Sequence, residues 1–233
     1  MASTVRTARL TGLSYLGLVV TGVAGFMLIR SQIFVEGDGA ATLANLTASE
    51  GLARLGVVME LGIALTQALT ALMFYRLFRG VSSLAAGAIA AFGMVNAVVI
   101  LASSALLATA VGVAGGRSGA LGGDAAAAVQ LLYATSEGLW AACGLFFGLW
   151  LIPMGWLVLR SRWMPAALGW MLIAGGSGYV LSTASGLLLP GHSVIGTILT
   201  LPAAAGEFWI LGYLLVKGVR SGTGTRAQVA TVA

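Results

Sequence analysis

Six apolar stretches, each long enough to cross a bilayer and nearly empty of charge, leave this chain few ways to fold. They cover roughly residues 8–30, 52–77, 81–113, 125–159, 165–189 and 194–217. A hydrocarbon core of about 30 Å takes ~20 residues of helix. Inside it every backbone group must be satisfied, either within a helix or within a closed barrel. Transmembrane barrels read as ~10-residue alternating strands, and no such alternation occurs here. The expected fold is therefore all-α: a polytopic membrane protein with a bundle of six transmembrane helices over 1–220. A Gly-, Ser- and Thr-rich tail over 221–233 is expected to be disordered. The third and fourth stretches exceed one span and must tilt, kink or project.

Composition agrees. Apolar residues make up 59% of the 233 residues and charged residues only 8%, with a mean hydropathy of +0.99. A water-soluble domain carries roughly 25% charged residues, so a soluble enzyme and a disordered protein are both excluded. The net charge of +5 does not imply a nucleic-acid partner, because the basic residues stand at the ends of apolar runs and not in a patch with aromatics. With Cys143 as its one cysteine, the chain forms neither an internal disulfide nor a thiolate metal cage. The first stretch follows Arg6 and Arg9 but runs longer than the 7–15 residues of a cleaved signal, so it reads as an uncleaved span.

Charge also sets the orientation. With six spans, both termini share a side with the connections near 78–80 and 160–164. That side carries Arg6, Arg9, Arg76, Arg79, Arg160, Arg162, Lys217, Arg220 and Arg226, whereas Arg30, Arg54 and Arg117 fall on the other with Glu36, Asp38, Glu50 and Asp124. The positive-inside rule then places both termini in the cytoplasm. Eleven of the twelve basic residues are Arg, and Ala and Gly dominate. This composition suits a GC-rich bacterial genome, hence a multi-pass protein of the bacterial cytoplasmic membrane. In the outer connection, Asp38 is placed to cap a short interfacial helix. Gly144, Gly148, Gly175, Gly176 and Gly178 read as close helix packing, and Pro153 and Pro202 as kinks within spans.

Three glutamates, Glu60, Glu137 and Glu207, fall inside predicted spans. At 1.5 Å per residue they lie about 12, 18 and 18 Å below the outer ends of their helices, a depth at which the three helices could converge. Polar companions recur at helical spacing: Gln67 after Glu60, Tyr133 before Glu137, Thr200 before Glu207, Asn96 with Ser103, Tyr179 with Ser182, and Tyr15 on the first span. Such faces turn inward, since lipid leaves polar groups unsatisfied. Trp140 shares a face with Tyr133 and suits an apolar pocket wall. Arg30 and Arg54 are placed at the outer rim, so no cation stands at carboxylate depth. Three unpaired carboxylates cannot all ionise there. Either protons neutralise them or a hard, oxygen-ligated cation such as Mg²⁺, Ca²⁺ or Na⁺ does. No cofactor is predicted, and the single His192 stands in a turn. The bland alternative is that each glutamate is a protonated donor joining two helices.

The run Phe146-Phe147-Gly148-Leu149-Trp150-Leu151-Ile152-Pro153-Met154-Gly155-Trp156, followed by Arg160-Ser161 and Pro165, resembles the domain-of-unknown-function 4386 family of bacterial membrane proteins. So do Arg54-Leu55-Gly56, Gly178-Tyr179, Leu201-Pro202 and Gly206-Glu207-Phe208-Trp209. The resemblance implies a multi-span helical protein and brings no catalytic residues with it. From the residues alone, the leading expectation is an acid–base pocket in the membrane. Glu60, Glu137 and Glu207 would serve a non-redox isomerase, cyclase or binder of a lipophilic, isoprenoid-like or lipid molecule. The alternatives are a proton- or cation-coupled small-molecule transporter and an accessory subunit in which the glutamates only join helices.

Overall fold

The computed structural model describes residues 2–116, 123–188 and 193–219. Arg117, His192, Arg220, Arg226 and the tail over 221–233 lie outside the described residues. Among those described, the chain is all-helical, with no strand. The elements are α1 (Ala2–Gly22), a π-helical segment (Val23–Ile29), α2 (Arg30–Ile33), α3 (Gly39–Ala48), α4 (Glu50–Phe78), α5 (Ser83–Ala114), α6 (Ala125–Ser161), α7 (Ala166–Leu188) and α8 (Ser193–Val216). Among the described residues, five helical stretches are long and apolar enough to cross a membrane: Val5–Ile33, Glu50–Phe78, Ser83–Ala114, Ala125–Ser161 and Val194–Val216. The protein is thus a multi-pass, all-helical membrane protein.

The chain divides into two compact units. One comprises Met1–Leu13, Leu72–Ala90 and Gly148–Ala233, and the other Ser14–Ala71 and Ala91–Phe147. The first, the Glu207 unit, has Glu207 as its one acidic residue, and the second, the Glu60 unit, carries Glu60 among six.

In the Glu207 unit an aromatic core forms where Phe74 meets Trp150 edge-on at 5.8 Å and Phe78 stacks on Trp163 at 5.8 Å. The Tyr213 hydroxyl donates to the Trp163 carbonyl at 3.1 Å. Glycine sets how closely α6 and α7 approach. A Cβ on Gly148 would stand 2.5 Å from the Gly176 carbonyl oxygen, and one on Gly176 2.7 Å from that of Gly148. Lipid tails are as apolar as leucine, so such backbone proximity is what makes helices associate in a bilayer. Pro153 and Pro202 lie inside α6 and α8.

The Glu60 unit is built inside out by soluble standards. Along α4, Val58, Leu61, Leu65 and Leu69 are 43–61% exposed. On the opposite side Glu60, Gln67 and Thr70 are buried with Ile63, Ala64 and Ala71. Leucine outside and polar groups inside is the arrangement lipid selects. Two helices are capped as their sequences require: the Asp38 carboxylate accepts from the Ala41 N–H at 2.8 Å at the start of α3, and Asp124 from Ala126 at 2.9 Å before α6. Glu50 and Arg54 form an exposed ion pair at 2.5 Å in the first turn of α4.

Candidate functional site

The chemistry-bearing cluster of the Glu60 unit lies where α4, α5 and α6 meet the end of the first span. Glu60 is 4% exposed. Its Oε1 accepts two hydrogen bonds, one from the Ser103 hydroxyl of α5 and one from the Trp140 indole N–H of α6 at 2.9 Å. The Ser103 and Ser136 hydroxyls are 2.7 Å apart, and Arg30 Nη1 donates to Ser136 Oγ at 2.8 Å. Donor order fixes the direction of the chain. The guanidinium has no acceptor to offer, so the Ser136 proton passes on to Ser103, and that of Ser103 to Glu60. Two hydroxyls thereby connect a buried cation to a buried carboxylate.

The Arg30 head is held on its other sides by aromatic faces. Its carbon stands 5.4 Å from the Phe26 ring centre, 5.8 Å from Phe34 and 5.5 Å from Tyr133, within the range of cation–π attraction. Nη2 donates to the Tyr133 carbonyl at 3.2 Å, while the buried Nε meets no acceptor among the described residues. Backbone geometry delivers this residue. Arg30 follows a seven-residue π-helical segment and its N–H bonds to the Gly25 carbonyl five residues back. Wider i→i+5 turns change the angular phase of everything that follows, and such segments recur at functional sites.

Arg30 and Glu60 also line one cleft, with Gly25, Gly56, Ala53 and Tyr133 among its walls. Its volume is about 270 Å³, part of it open to the surroundings, with room for about one water molecule. No described residue donates to Glu60 Oε2, so that oxygen keeps its lone pairs.

The expectation that Arg30 stays at the rim is therefore corrected: it is 7% exposed, linked to Glu60 through Ser136 and Ser103 and within its electrostatic reach. The face of α6 is corrected as well. Tyr133, Ser136, Trp140 and Cys143, spaced i, i+3, i+7 and i+10, make the inward seam, whereas Glu137 stands one residue off it. Glu137 is half-buried and lies within electrostatic reach of Arg30 and Glu36.

Gln67 and Asn96 are both fully buried, and Tyr15 is buried in the same unit. Glu207 belongs to the other unit, within electrostatic reach of Tyr179. Ser182 there is half-buried, and the Thr200 hydroxyl is turned onto its own helix, donating to the Gly196 and Thr197 carbonyls at 3.2 and 3.1 Å. Among the described residues no three His, Cys, Asp or Glu side chains gather as they would around a metal ion.

Sequence reasoning missed Arg30 and Ser136. The i, i+3, i+7, i+10 spacing of the α6 seam carried the signal for Ser136. The register shift that turns Arg30 inward left no mark in the pattern of apolar residues.

No curated protein and no solved structure matches this chain. One family profile does, "Domain of unknown function (DUF4386)", over residues 10–218. Since that match spans all but the ends of the sequence, the chain belongs to the DUF4386 family.

Proposed function

We propose that this is a six-span protein of the bacterial cytoplasmic membrane, with both termini cytoplasmic, in which Glu60 takes up and releases a proton within the bilayer. In this reading Glu60 is the exchanging group of a proton relay across the bilayer. The observation that carries it is the asymmetry of the Glu60 carboxyl: Oε1 is held by Ser103 and Trp140, and Oε2 is left to bind and lose a proton. With Oε1 fixed, the proton can come and go without repacking the helices. Arg30, tied through Ser136 and Ser103, stabilises the anion left behind, and intramembrane carboxylates so arranged serve proton relays. A cleft with room for about one water molecule suits a proton carried by water better than it suits a lipid chain.

A sixth span is supported by α7, which has 23 residues and no Asp, Glu, Lys or Arg. The cytoplasmic termini follow from the basic residues near them. A second reading, acid–base chemistry on a lipophilic or isoprenoid-like molecule, is favoured by one observation: Phe26 packs against Trp140 at 4.8 Å, forming an apolar wall beside the N–H that holds Glu60.

The test is proton flux in liposomes containing the full chain, driven by a potassium diffusion potential and read with an enclosed pH-sensitive dye. Wild-type protein should carry protons well above empty liposomes, Glu60→Gln should lower that flux at least tenfold, and Glu137→Gln should keep most of it. Full flux in Glu60→Gln, or none in the wild type, overturns the proton reading.

A further inference from the structure

A second pair of polar side chains lies further along the seam that holds Glu60. α4 and α5 are joined by the short connection at 79–82 and run antiparallel. Glu60 bonds Ser103 across them, and Ile63 and Ile100 share one buried cluster. The same register, carried seven residues on from Glu60 and seven back from Ser103, sets Gln67 level with Asn96. Seven residues are about two turns, so both keep the inward face and stand about 10 Å along the seam. Both are fully buried, and neither the oxygen nor the nitrogen of either carboxamide has a hydrogen-bond partner among the described residues.

An unsatisfied buried polar group is costly, and at bilayer depth no bulk solvent relieves it. What satisfies this pair must both donate and accept. A bare cation would leave the two NH₂ groups unpaired, and an anion would leave the two carbonyls. Water does both and takes 2–4 partners.

We propose that Gln67 and Asn96 bind water between α4 and α5, forming a second polar station on the proton path to Glu60. Its role in that path rests on the reading of Glu60 as the proton-exchanging group. Between the stations lies a single apolar layer of Ile63, Ala64, Ile100 and Cys143. This is the kind of constriction that holds back water until it opens.

The binding of water is tested without reference to protons. In the full chain in liposomes, with Cys143→Ala as background, single cysteines are placed by Gln67→Cys, Asn96→Cys and Ile100→Cys. They are exposed to ethylammonium methanethiosulfonate, a small water-borne reagent that reacts with the thiolate. Cysteines at 67 and 96 should react at least tenfold faster than the one at 100, in Glu60 and Glu60→Gln chains alike. Equally slow reaction at all three positions, as a directly paired, dry amide couple would give, overturns the proposal. If one variant fails to fold, the other supplies the comparison with position 100. A labelling contrast without proton flux sinks the proton reading and leaves the water site standing. Glu60-dependent flux without the contrast does the reverse.

Discussion

At the residue scale, the energetic question is how a carboxylate and a guanidinium share a low-dielectric interior without touching. Direct pairing would give the largest Coulomb attraction, but desolvation consumes much of that gain. Here two serines supply charge-assisted hydrogen bonds at both ends, a kind of bond worth about 1.5–3 kcal/mol when a charged group takes part. Removing only the cation leaves a buried anion, which costs on the order of 3–5 kcal/mol when the partners are in contact. Arg30→Gln should therefore lower the unfolding temperature in detergent by several degrees. Arg30→Gln/Glu60→Gln should recover most of the loss, and additive losses in the double variant would show the two charges to be uncoupled. Trp140→Phe keeps the ring and removes its N–H donor. It should cost about 1–2 kcal/mol in wild type and much less in Glu60→Gln, read by the same unfolding scan. Glu60 was legible in the sequence because a carboxylate inside an apolar run stands out. Ser136 was not, because serine is common in spans and only its companions on one face single it out.

At the element scale, the apolar runs predicted the long helices to within a few residues: 52–77 against Glu50–Phe78, and 125–159 against Ala125–Ser161. Length and hydropathy dominate such boundaries, so they survive ignorance of packing. The π-helical segment did not show, because Val23–Ile29 reads as Val-Ala-Gly-Phe-Met-Leu-Ile, a string that favours an α-turn equally well. Tertiary fit decides it. A Cβ on Gly25 would stand 2.9 Å from the Met59 Cβ, so glycine lets this segment press against α4, and the wide turn brings Arg30 round to Ser136. Deleting the 65%-exposed Met27 should return the segment to α-helical phase and rotate Arg30 by about 100°. The deletion should destabilise about as much as Arg30→Gln, and adding Arg30→Gln to it should bring little further loss of unfolding temperature. A further loss as large as in wild type would show that the π turn does not position the guanidinium.

At the scale of the whole molecule, the parity of spans decides the topology, and α7 decides the parity. Its glycines and serines dilute its hydropathy, yet they are what let it pack. Gly176 fits against Gly148, and the place of Gly175 is so close to Ala203 of α8 that a Cβ there would overlap it. A helix several of whose glycines meet neighbouring backbones needs less apolar surface toward lipid than one that stands alone. Low hydropathy and membrane crossing are therefore compatible in α7. If α7 crosses, both ends of the chain share a side with most of the basic residues. If it does not, Lys217 and the N-terminal Arg6 and Arg9 face opposite compartments, against the positive-inside bias. A green fluorescent protein, which fluoresces only when it folds on the cytoplasmic side, should fluoresce when fused after Gly218. A periplasm-dependent phosphatase at the same point should stay inactive, and the phosphatase should be active when inserted at Gly37. Phosphatase activity at Gly218 would mean five crossings and would put Glu207 on a helix of inverted direction.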